Sequence, residues 1–390
     1  MPRATISNKS RLFTESVIRE MTRLCIAEHG DGCLNLAQGF PDFAAPSELK
    51  EAAVDAIRND FNQYATTWGA RVMREAIATK TKRFRGMTVD PETEITVCCG
   101  VTEAMLSTIL ALVDPGDEVI IFEPFYENYG PDCILSGATP VVVPLVPPGW
   151  HFDRDQLRKA FTAKTRAIII NTPHNPTGKV YSADELAFIA GLCREFDALA
   201  ITDEIYEHLV YSGEHISIAM LDGMRERTVT INGLSKTYSV TGWRLAYAIA
   251  PAEMTSAIRK VHDFVTVGAP HPLQVAAATA LLFPDRYYVD LLNAYRERRD
   301  FMLEILDGAG FKAYPPDGAY YVMTDITGFG EDDVSLAHRM VREIGLATVP
   351  GSSFYLEPER GRKQIRFSFP KKMETLRRAA ERLKKLQRVS

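Results

Sequence analysis

The chain has 390 residues, of which 46% are hydrophobic and 24% charged, and its formal net charge is −5. That length allows two domains with sizeable cores, and the composition is typical of an ordinary globular protein. The small negative charge gives no electrostatic reason to expect nucleic acid or an anionic membrane as a partner.

The sequence also carries no sign of a membrane or secretory segment. No apolar run approaches the roughly 20 residues that a membrane helix needs, and the polar N-terminus has no apolar signal core. The six cysteines show neither a metal-ligand spacing nor the density of a disulfide framework. We therefore expect a reduced, cytoplasmic location and no metal site.

Short apolar runs alternate along the chain with segments of helical pattern. The predicted strands are 95–98, 118–122, 167–170, 199–202, 229–231 and 246–249. The predicted helices include 103–113, 183–196 and 251–261. Several strands are continuously apolar, as buried parallel strands are, so we expect an α/β fold with a mostly parallel, mixed sheet flanked by helices.

The pattern changes after about residue 285. A charged segment at 291–306 precedes strand patterns at 319–324 and 364–369, and a basic helix is predicted at 373–385. This succession predicts a second, smaller α+β domain. We expect a large domain at 46–285, and a small domain formed by 286–390 together with the N-terminal segment 1–45.

Polar groups follow the predicted strands, and ligands in open α/β sheets bind beyond the carboxyl ends of strands. Gly100, Val101 and Thr102 open a helix after the first strand, where free N–H groups and the positive helix end suit a phosphate. An ordinary glycine turn with Thr102 as N-cap is the alternative. Tyr126 follows the second strand and offers a ring to a planar ligand, although aromatic residues there usually belong to the core.

The next two strands are followed by an amide and a carboxylate. Two prolines and a glycine make 171–178 a rigid turn that can present the Asn175 amide. Asp203 comes directly after a buried strand, where a carboxylate needs a partner. A protonated pyridine nitrogen would be one, and Tyr206 would reach the phenolic oxygen of the same ring. A solvated Asp-Glu pair at a helix start is the alternative.

The most informative segment, 235–244, lies just beyond the predicted strand 229–231. Lys236 supplies an amine and Arg244 a cation, which suits a cofactor that carries both an aldehyde and a phosphate. Pyridoxal phosphate is such a cofactor. Arg366, in a late strand pattern, matches a carboxylate bidentately, although a strand arginine is usually solvated. Because each group follows its own strand, one cofactor explains the set.

The ordered set 175–178, 203–206, 235–236, 242–244 and Arg366 resembles the class I and II aminotransferases of pyridoxal-phosphate fold type I. The resemblance covers nearly the whole chain. The strings at 35–43, 62–64 and 172–179 resemble the branch that contains the kynurenine, glutamine and methionine aminotransferases.

The resemblance implies a role for each matching residue. Lys236 would carry the cofactor as a Schiff base, while Asp203 pairs with the pyridinium nitrogen. The implied cofactor-binding residues are Gly100, Val101, Thr102, Tyr126, Asn175, Asp203, Tyr206, Ser235, Lys236 and Arg244, with Tyr64 from a second subunit. The implied substrate-binding residues are Gly39, Asn175, Arg366 and Trp68.

Two features depart from the wider family pattern. Relatives often carry a serine three positions before the lysine, where this chain has Gly233, so Ser235 is the alternative source of a hydroxyl for the phosphate. We find no match for the partner-subunit arginine that aspartate aminotransferases use for a side-chain carboxylate. We therefore expect a neutral or aromatic amino donor.

The implied reaction exchanges an amino group between an L-amino acid and a 2-oxo acid, through pyridoxamine phosphate, in a homodimer with composite active sites. A carbon–sulfur β-lyase or another pyridoxal-phosphate enzyme on the same site is an alternative, and so is an aspartate aminotransferase. An amino-acid sensor is disfavoured because the chain has no basic patch or spare domain. A nicotinamide dehydrogenase is disfavoured because no Gly-x-Gly-x-x-Gly follows the first strand.

Overall fold

The structure is a computed structural model and describes residues 6–386. The strands are β1 Leu34–Asn35, β2 Ile95–Cys98, β3 Glu118–Glu123, β4 Thr139–Val146, β5 His151–Phe152, β6 Thr165–Asn171, β7 Leu199–Asp203, β8 Thr228–Gly233, β9 Ala246–Ile249, β10 Lys312–Tyr314, β11 Tyr321–Asp325, β12 Leu346–Ala347, β13 Val349–Pro350 and β14 Gln364–Ser368. The helices are α1 Val17–His29, α2 Ser47–Arg58, α3 Arg71–Arg85, α4 Val101–Leu112, α5 Tyr129–Ser136, α6 Arg154–Ala160, α7 Ala183–Glu195, α8 Ala252–Thr266, α9 His271–Leu281, α10 Asp285–Gly308, α11 Asp333–Ile344 and α12 Met373–Leu383.

Eight strands form the large sheet, in the order β2-β9-β8-β7-β6-β3-β4-β5. The pairings from β8 through β7, β6 and β3 to β4 are all parallel. β9 runs antiparallel to both of its neighbours, β2 and β8. The mixed, mostly parallel sheet predicted from the apolar runs is therefore confirmed.

Alternate residues of the central strands pack on opposite faces of this sheet, which explains why the strands are continuously apolar. On β6, Ile168 and Ile170 join a core with Leu186 of α7. Their neighbours Ala167 and Ile169 join a second core, which includes residues of α4, α5 and α8. Helices thus cover both faces, and the carboxyl ends of β6, β7 and β8 open towards one edge.

A four-stranded sheet, β10-β11-β14-β13, lies later in the chain, and the short parallel pair β1-β12 joins the N-terminal segment to it. Their side chains share one core with α1, α10, α11 and α12. In that core, β1 leads directly into residues 36–40, which run close to β14: the Ser368 N–H donates to the Leu36 carbonyl. The predicted domain limits at residues 46 and 285 stay a prediction.

Most predicted elements lie where the sequence placed them. β2 and β9 have the predicted limits, and the predicted helix 103–113 is α4, Val101–Leu112. Strand β4, Thr139–Val146, was missed because its two prolines, Pro140 and Pro144, weaken the strand pattern. The sequence patterns above also do not include helices α1, α2, α3, α5, α6, α9 and α11.

The cysteines contain one pair that the sequence did not reveal. Cys25 and Cys33 form a disulfide across eight residues, with Cα atoms 5.6 Å apart, and the other four cysteines are free. A single short loop of this kind leaves no spacing signal, because connectivity depends on how α1 turns back into β1. Among residues 6–386, no helix is long and apolar enough to cross a membrane.

Candidate active site

The N-terminus of α4 presents free backbone donors beside a guanidinium group. No side chain caps the first turn of this helix, and Gly100 precedes it with φ 88°. A Cβ on Gly100 would overlap the Arg244 guanidinium, so the arginine lies directly against this turn. Free N–H groups, the positive end of the helix dipole and an arginine together form an anion-binding corner.

Arg244 reaches this corner from the loop after β8. It follows the turn Thr241–Trp243, adopts φ 52°, and is exposed. Its Nη1 donates to the Thr241 carbonyl at 3.1 Å, which holds the side chain over its own turn. Thr102, also exposed, stands in the first turn of α4. Predicted phosphate-binding residues from two separate strand ends therefore meet.

Lys236 lies in the same loop as Arg244, and its amine faces Gly39. Nζ donates to the Gly39 carbonyl at 3.1 Å. Burial lowers the pKa of this amine to about 8, and the positive charge of Arg244 adds to the shift, while Asp203 opposes it. An amine with such a pKa is partly uncharged near neutrality, which a nucleophile or general base requires.

Asp203 is the last residue of β7 and is buried. Its Oδ2 accepts the Tyr129 hydroxyl at 2.8 Å, and its Oδ1 accepts the Ile205 N–H at 3.2 Å. Burial raises the pKa of this carboxyl to about 6, although the two hydrogen bonds oppose the rise. No residue in the described chain forms a salt bridge with it, so its charge awaits a cationic partner.

The turn that carries Asp203 and Tyr206 is anchored from behind by buried ion pairs. Arg85 at the end of α3 contacts Glu204 at 2.7 Å and Glu207 at 2.5 Å, and Lys80 also pairs with Glu207. Burial opposes ionisation of Glu204, but the Arg85 charge and the contacts with His215 together outweigh burial and lower the pKa of that carboxyl. Removing one member of such a cluster would leave an uncompensated buried charge, so the turn is held firmly.

Three tyrosines surround the Lys236 amine and Gly39. The Tyr206 and Tyr321 hydroxyls are 2.8 Å apart, and the Tyr320 hydroxyl donates to the Gly39 carbonyl at 2.8 Å. A Cβ on Gly39 would overlap the Tyr321 hydroxyl. Gly39 is therefore required by close packing against Tyr321, while its carbonyl receives both Lys236 and Tyr320.

Arg366 lies on β14 and is fully buried, not solvated as a strand arginine usually is. Nη1 donates to Asn175 Oδ1 at 2.9 Å and Nη2 to the Ala37 carbonyl at 2.6 Å, whereas the buried Nε has no hydrogen-bond partner. The guanidinium packs over the rings of Tyr321 and Phe354, at 4.4 and 4.8 Å from their centroids. A buried arginine with no acidic partner in residues 6–386 is suited to an incoming carboxylate.

The structure brings together most of the predicted site residues, while the roles of Tyr64 and Trp68 stay predictions. Lys236, Asp203, Asn175, Tyr206, Arg366 and Gly39 gather around one space, with Gly100 and Arg244 at its edge. Tyr126 joins them, since its ring packs edge-on to Tyr129 at 5.8 Å. Tyr64, by contrast, is 85% exposed. Trp68 packs against Arg259 of α8, whose guanidinium lies 4.9 Å from its ring centroid.

The structure also explains the glycine that departs from the family pattern. A Cβ on Gly233 would lie 2.8 Å from the Leu245 carbonyl oxygen and 3.1 Å from Ala246 Cα, because β8 and β9 are paired at this point. A serine there would require β9 to shift. Ser235 is 9% exposed, and its role stays a prediction.

Tyr129, Tyr320 and Tyr321 are the site residues that the sequence analysis missed. Tyr129 opens α5 only three residues after Tyr126, and Tyr320 and Tyr321 stand where β11 begins. Tyrosine near a strand end is ordinary core composition, so no local signal separated them. Tyr129 becomes a partner of Asp203 only because α5 packs close to the end of β7, and the sequence alone does not reveal that contact.

Chemically, this site offers a nucleophilic amine, an unpaired buried carboxylate, a buried arginine for a carboxylate and a helix end for a phosphate. Comparison with known proteins agrees. The family model for aminotransferase class I and II matches residues 31–383. The chain is 40% identical to the probable N-succinyldiaminopimelate aminotransferase DapC of Mycobacterium tuberculosis, over 96% of this chain and 97% of that protein.

Two further relatives carry other amino-acid names. The methionine aminotransferase of Escherichia coli and the kynurenine–oxoglutarate transaminase 1 of Homo sapiens are each 38% identical, over 90% of this chain and 92% of their own length. The solved structure of N-succinyldiaminopimelate aminotransferase from Mycobacterium tuberculosis matches with a TM-score of 0.94, 40% identity, and coverage of 98% and 99% of the two chains.

The chain therefore belongs to the class I and II aminotransferases, with the fold type I architecture of pyridoxal-phosphate enzymes. It is an enzyme of amino-group transfer. The resemblance stated from the sequence motifs is confirmed.

Proposed function

We propose that this enzyme transfers the amino group of a neutral, fairly bulky L-amino acid to a 2-oxo acid, with pyridoxal phosphate bound at Lys236. The observation that carries the proposal is Asp203, a buried carboxylate with no cationic partner among residues 6–386, close to an amine of lowered pKa. A cofactor with a basic ring nitrogen and an aldehyde satisfies both groups at once.

The remaining groups of the site fit the same cofactor. The open N-terminus of α4 and Arg244 would hold the phosphate, with the backbone of Val101 and the Thr102 hydroxyl as further donors. Asn175 and Tyr206 would contact the phenolic oxygen of the ring, and Tyr126 would stack on its face. This set supports pyridoxal phosphate because it provides one partner for each polar group of that molecule.

When bound, pyridoxal phosphate supplies a conjugated ring that withdraws electrons from the Cα atom of the substrate. Arg366 binds the substrate α-carboxylate bidentately, and its hydrogen bond to Asn175 fixes the plane of the guanidinium. Lys236 Nζ removes the Cα proton as general base and, as an ammonium, gives it up again as general acid. Holding the Cα atom beside a positioned amine is a proximity effect.

The alternatives from the sequence differ from transamination only in the second step. A carbon–sulfur β-lyase would use the same cofactor and carboxylate contacts, since neither contact determines which bond breaks after the Cα proton has been removed. Such an enzyme would release pyruvate and ammonia from a cysteine conjugate without any oxo-acid acceptor. The cytoplasmic location also stays a prediction.

The site assignment makes Lys236→Ala inactive in steady-state transamination while the protein still binds some cofactor. Loss of the Lys236 amine removes both covalent attachment and the general base. Borohydride reduction of the wild type, followed by peptide mapping, is expected to place the pyridoxyl label on Lys236. Label on any other lysine would contradict the assignment.

We further propose a homodimer in which Tyr64 completes the site of the other subunit. Tyr64 is 85% exposed and Phe264, at the end of α8, is 93% exposed, as expected of side chains that contact a second copy rather than their own core.

Mixing Tyr64→Phe subunits with Lys236→Ala subunits tests this arrangement. Each mixed dimer would hold one site with both defects and one with neither, so random mixing is expected to restore about a quarter of wild-type activity. The control is each variant alone at the same total concentration. No recovery above the sum of the two controls, or a monomer by sedimentation, would exclude a shared site.

The donor class rests on the charges around the amine. The largest charge effects on Lys236 come from Arg244, Asp203, Arg366 and Lys371. The Lys371 amine is already bound to backbone carbonyl groups, since its Nζ donates to the Phe40 carbonyl at 2.8 Å and the Gln38 carbonyl at 3.4 Å. With Arg244 and Arg366 assigned to phosphate and α-carboxylate, no cation of this group is left for a second carboxylate, whose burial would be costly.

N-succinyldiaminopimelate is a second candidate donor, favoured by the 40% identity to the protein of that name. The deciding measurement is kcat/KM for methionine, glutamine, phenylalanine, kynurenine, aspartate and N-succinyldiaminopimelate with one fixed acceptor. We expect the neutral donors to exceed aspartate. A preference for aspartate over methionine above about a hundredfold, ~2.7 kcal/mol, or a similar preference for N-succinyldiaminopimelate, would contradict the neutral-donor proposal.

A further inference from the structure

A buried histidine on α8 lies beneath the phosphate corner of the site. His262 is 0% exposed, and both nitrogens of its ring have partners. Nε2 lies 2.9 Å from the Thr67 carbonyl oxygen, and Nδ1 lies 3.0 Å from Glu103 Oε1. A carbonyl oxygen can only accept a hydrogen bond, so Nε2 carries a proton.

The partners of Glu103 favour a proton on Nδ1 as well, and the Thr266 hydroxyl, 3.2 Å from Nδ1, can donate its own proton to the His262 carbonyl at 3.3 Å. Glu103 Oε1 also accepts the Ser107 hydroxyl at 2.5 Å, and Oε2 accepts the Cys99 N–H at 2.8 Å. Burial opposes ionisation of Glu103, but its contacts with His262, Ser107 and the Cys99 N–H together lower the pKa of this carboxyl, which favours the carboxylate. His262 is therefore an imidazolium, and Glu103 and His262 form a buried ion pair. Burial opposes the charge on His262, but the hydrogen bond and charge of Glu103, together with the Thr67 carbonyl and the Asp263 charge, outweigh burial and raise the pKa of the imidazole.

This ion pair connects three segments of the site. Glu103 stands in the first turn of α4, and its bond to the Cys99 N–H fixes the backbone that leads into Gly100. Thr67 lies in the segment 64–68, which begins at the exposed Tyr64 and ends at Trp68. Gly268, just after α8, also packs on Thr67: a Cβ on this glycine would lie 3.4 Å from the Thr67 carbonyl oxygen.

Among the groups that face His262, Glu103 supplies the negative charge that balances the imidazolium. Glu103 approaches from α4, Cys98 from the end of β2, and Asp263 follows on α8 itself. Cys98, Glu103 and His262 are close enough to share a metal ion. An imidazolium has no lone pair to offer, however, so a cation is disfavoured here while the histidine keeps both protons.

We propose that His262 is a positioning residue that, as an imidazolium, ties segment 64–68 to the phosphate-binding turn, so that cofactor affinity depends on the Glu103–His262–Thr67 bridge. The bridge positions the first turn of α4 from the protein interior, while the phosphate would bind to the free N–H groups of the same turn. It acts through position alone and touches no reacting atom. The proposal rests on the proposed function only in assigning the phosphate of pyridoxal phosphate to Gly100–Thr102.

The test is the dissociation constant of pyridoxal phosphate for the apo-enzyme, measured by absorbance titration across a range of pH. We expect His262→Gln to weaken binding about tenfold at neutral pH, as loss of hydrogen bonds to a charged group should. Wild-type affinity is expected to fall as pH rises through the pKa of His262, because the bridge exists only while the ring is charged. The His262→Gln profile is expected to lack that step.

Glu103→Gln provides a second route that keeps the shape of the side chain. It is expected to weaken cofactor binding by a similar factor and, combined with His262→Gln, to add little, because both variants break one bridge. The matched control is His271→Gln. His271 is partly exposed, and its Nδ1 lies 2.9 Å from the Gln63 carbonyl oxygen, so it contacts the residue just before segment 64–68 without reaching α4. Its affinity should stay within about twofold of wild type.

Three results would overturn the bridge. They are affinity within twofold of wild type for both His262→Gln and Glu103→Gln, a wild-type pH step that persists in His262→Gln, or an equal loss in His271→Gln. Borohydride labelling of each variant separates this inference from the proposed function. If the variants are labelled at Lys236 and bind pyridoxal phosphate with unchanged affinity, only the bridge is contradicted. If the wild type is labelled at another lysine, the site assignment itself is contradicted.

Discussion

The whole site depends on one carboxylate that the fold buries without a cation. Asp203 ends β7 in the middle of the large sheet, where its charge is costly unless a ligand balances it. Tyr129 and the Ile205 N–H direct its oxygens, and the ion pairs of Glu204 and Glu207 prevent the turn from relaxing towards solvent. Binding a cationic ring nitrogen relieves this cost, so the site is organised for its ligand before the ligand arrives.

The rest of the site is placed around that carboxylate by topology. The parallel strands β6, β7 and β8 deliver Asn175, Asp203 and Lys236 to one edge of the sheet, and the N-terminus of α4 supplies the phosphate corner. The later sheet adds Arg366 from β14, which reaches back to Asn175 and Ala37. In the proposed function, substrate carboxylate and cofactor are therefore bound by side chains from separate sheets, which meet at Gly39.

The sequence predicted those parts of the structure that depend on local pattern. Apolar runs located β2 and β9, polar residues at or after strand ends located Asp203 and Lys236, and an arginine within a strand pattern located Arg366. Pairings between distant segments left no such pattern. Tyr129 contacts Asp203 across 74 residues, Glu103 contacts His262 across 159, and Tyr321 packs on Gly39 across 282. Tyr64 is exposed and Trp68 packs against Arg259, so one subunit alone does not test their predicted roles.

The most direct test of the account is the protonation of the cofactor ring nitrogen beside Asp203. Apo-enzyme reconstituted with pyridoxal phosphate labelled with ¹⁵N in the ring can be observed by NMR. We expect a proton-bearing nitrogen in the wild type well above the pKa of the free pyridine, and a bare nitrogen in Asp203→Asn, which keeps the shape but not the charge. A bare nitrogen in the wild type, or a protonated one in Asp203→Asn, would contradict the central role given to this carboxylate.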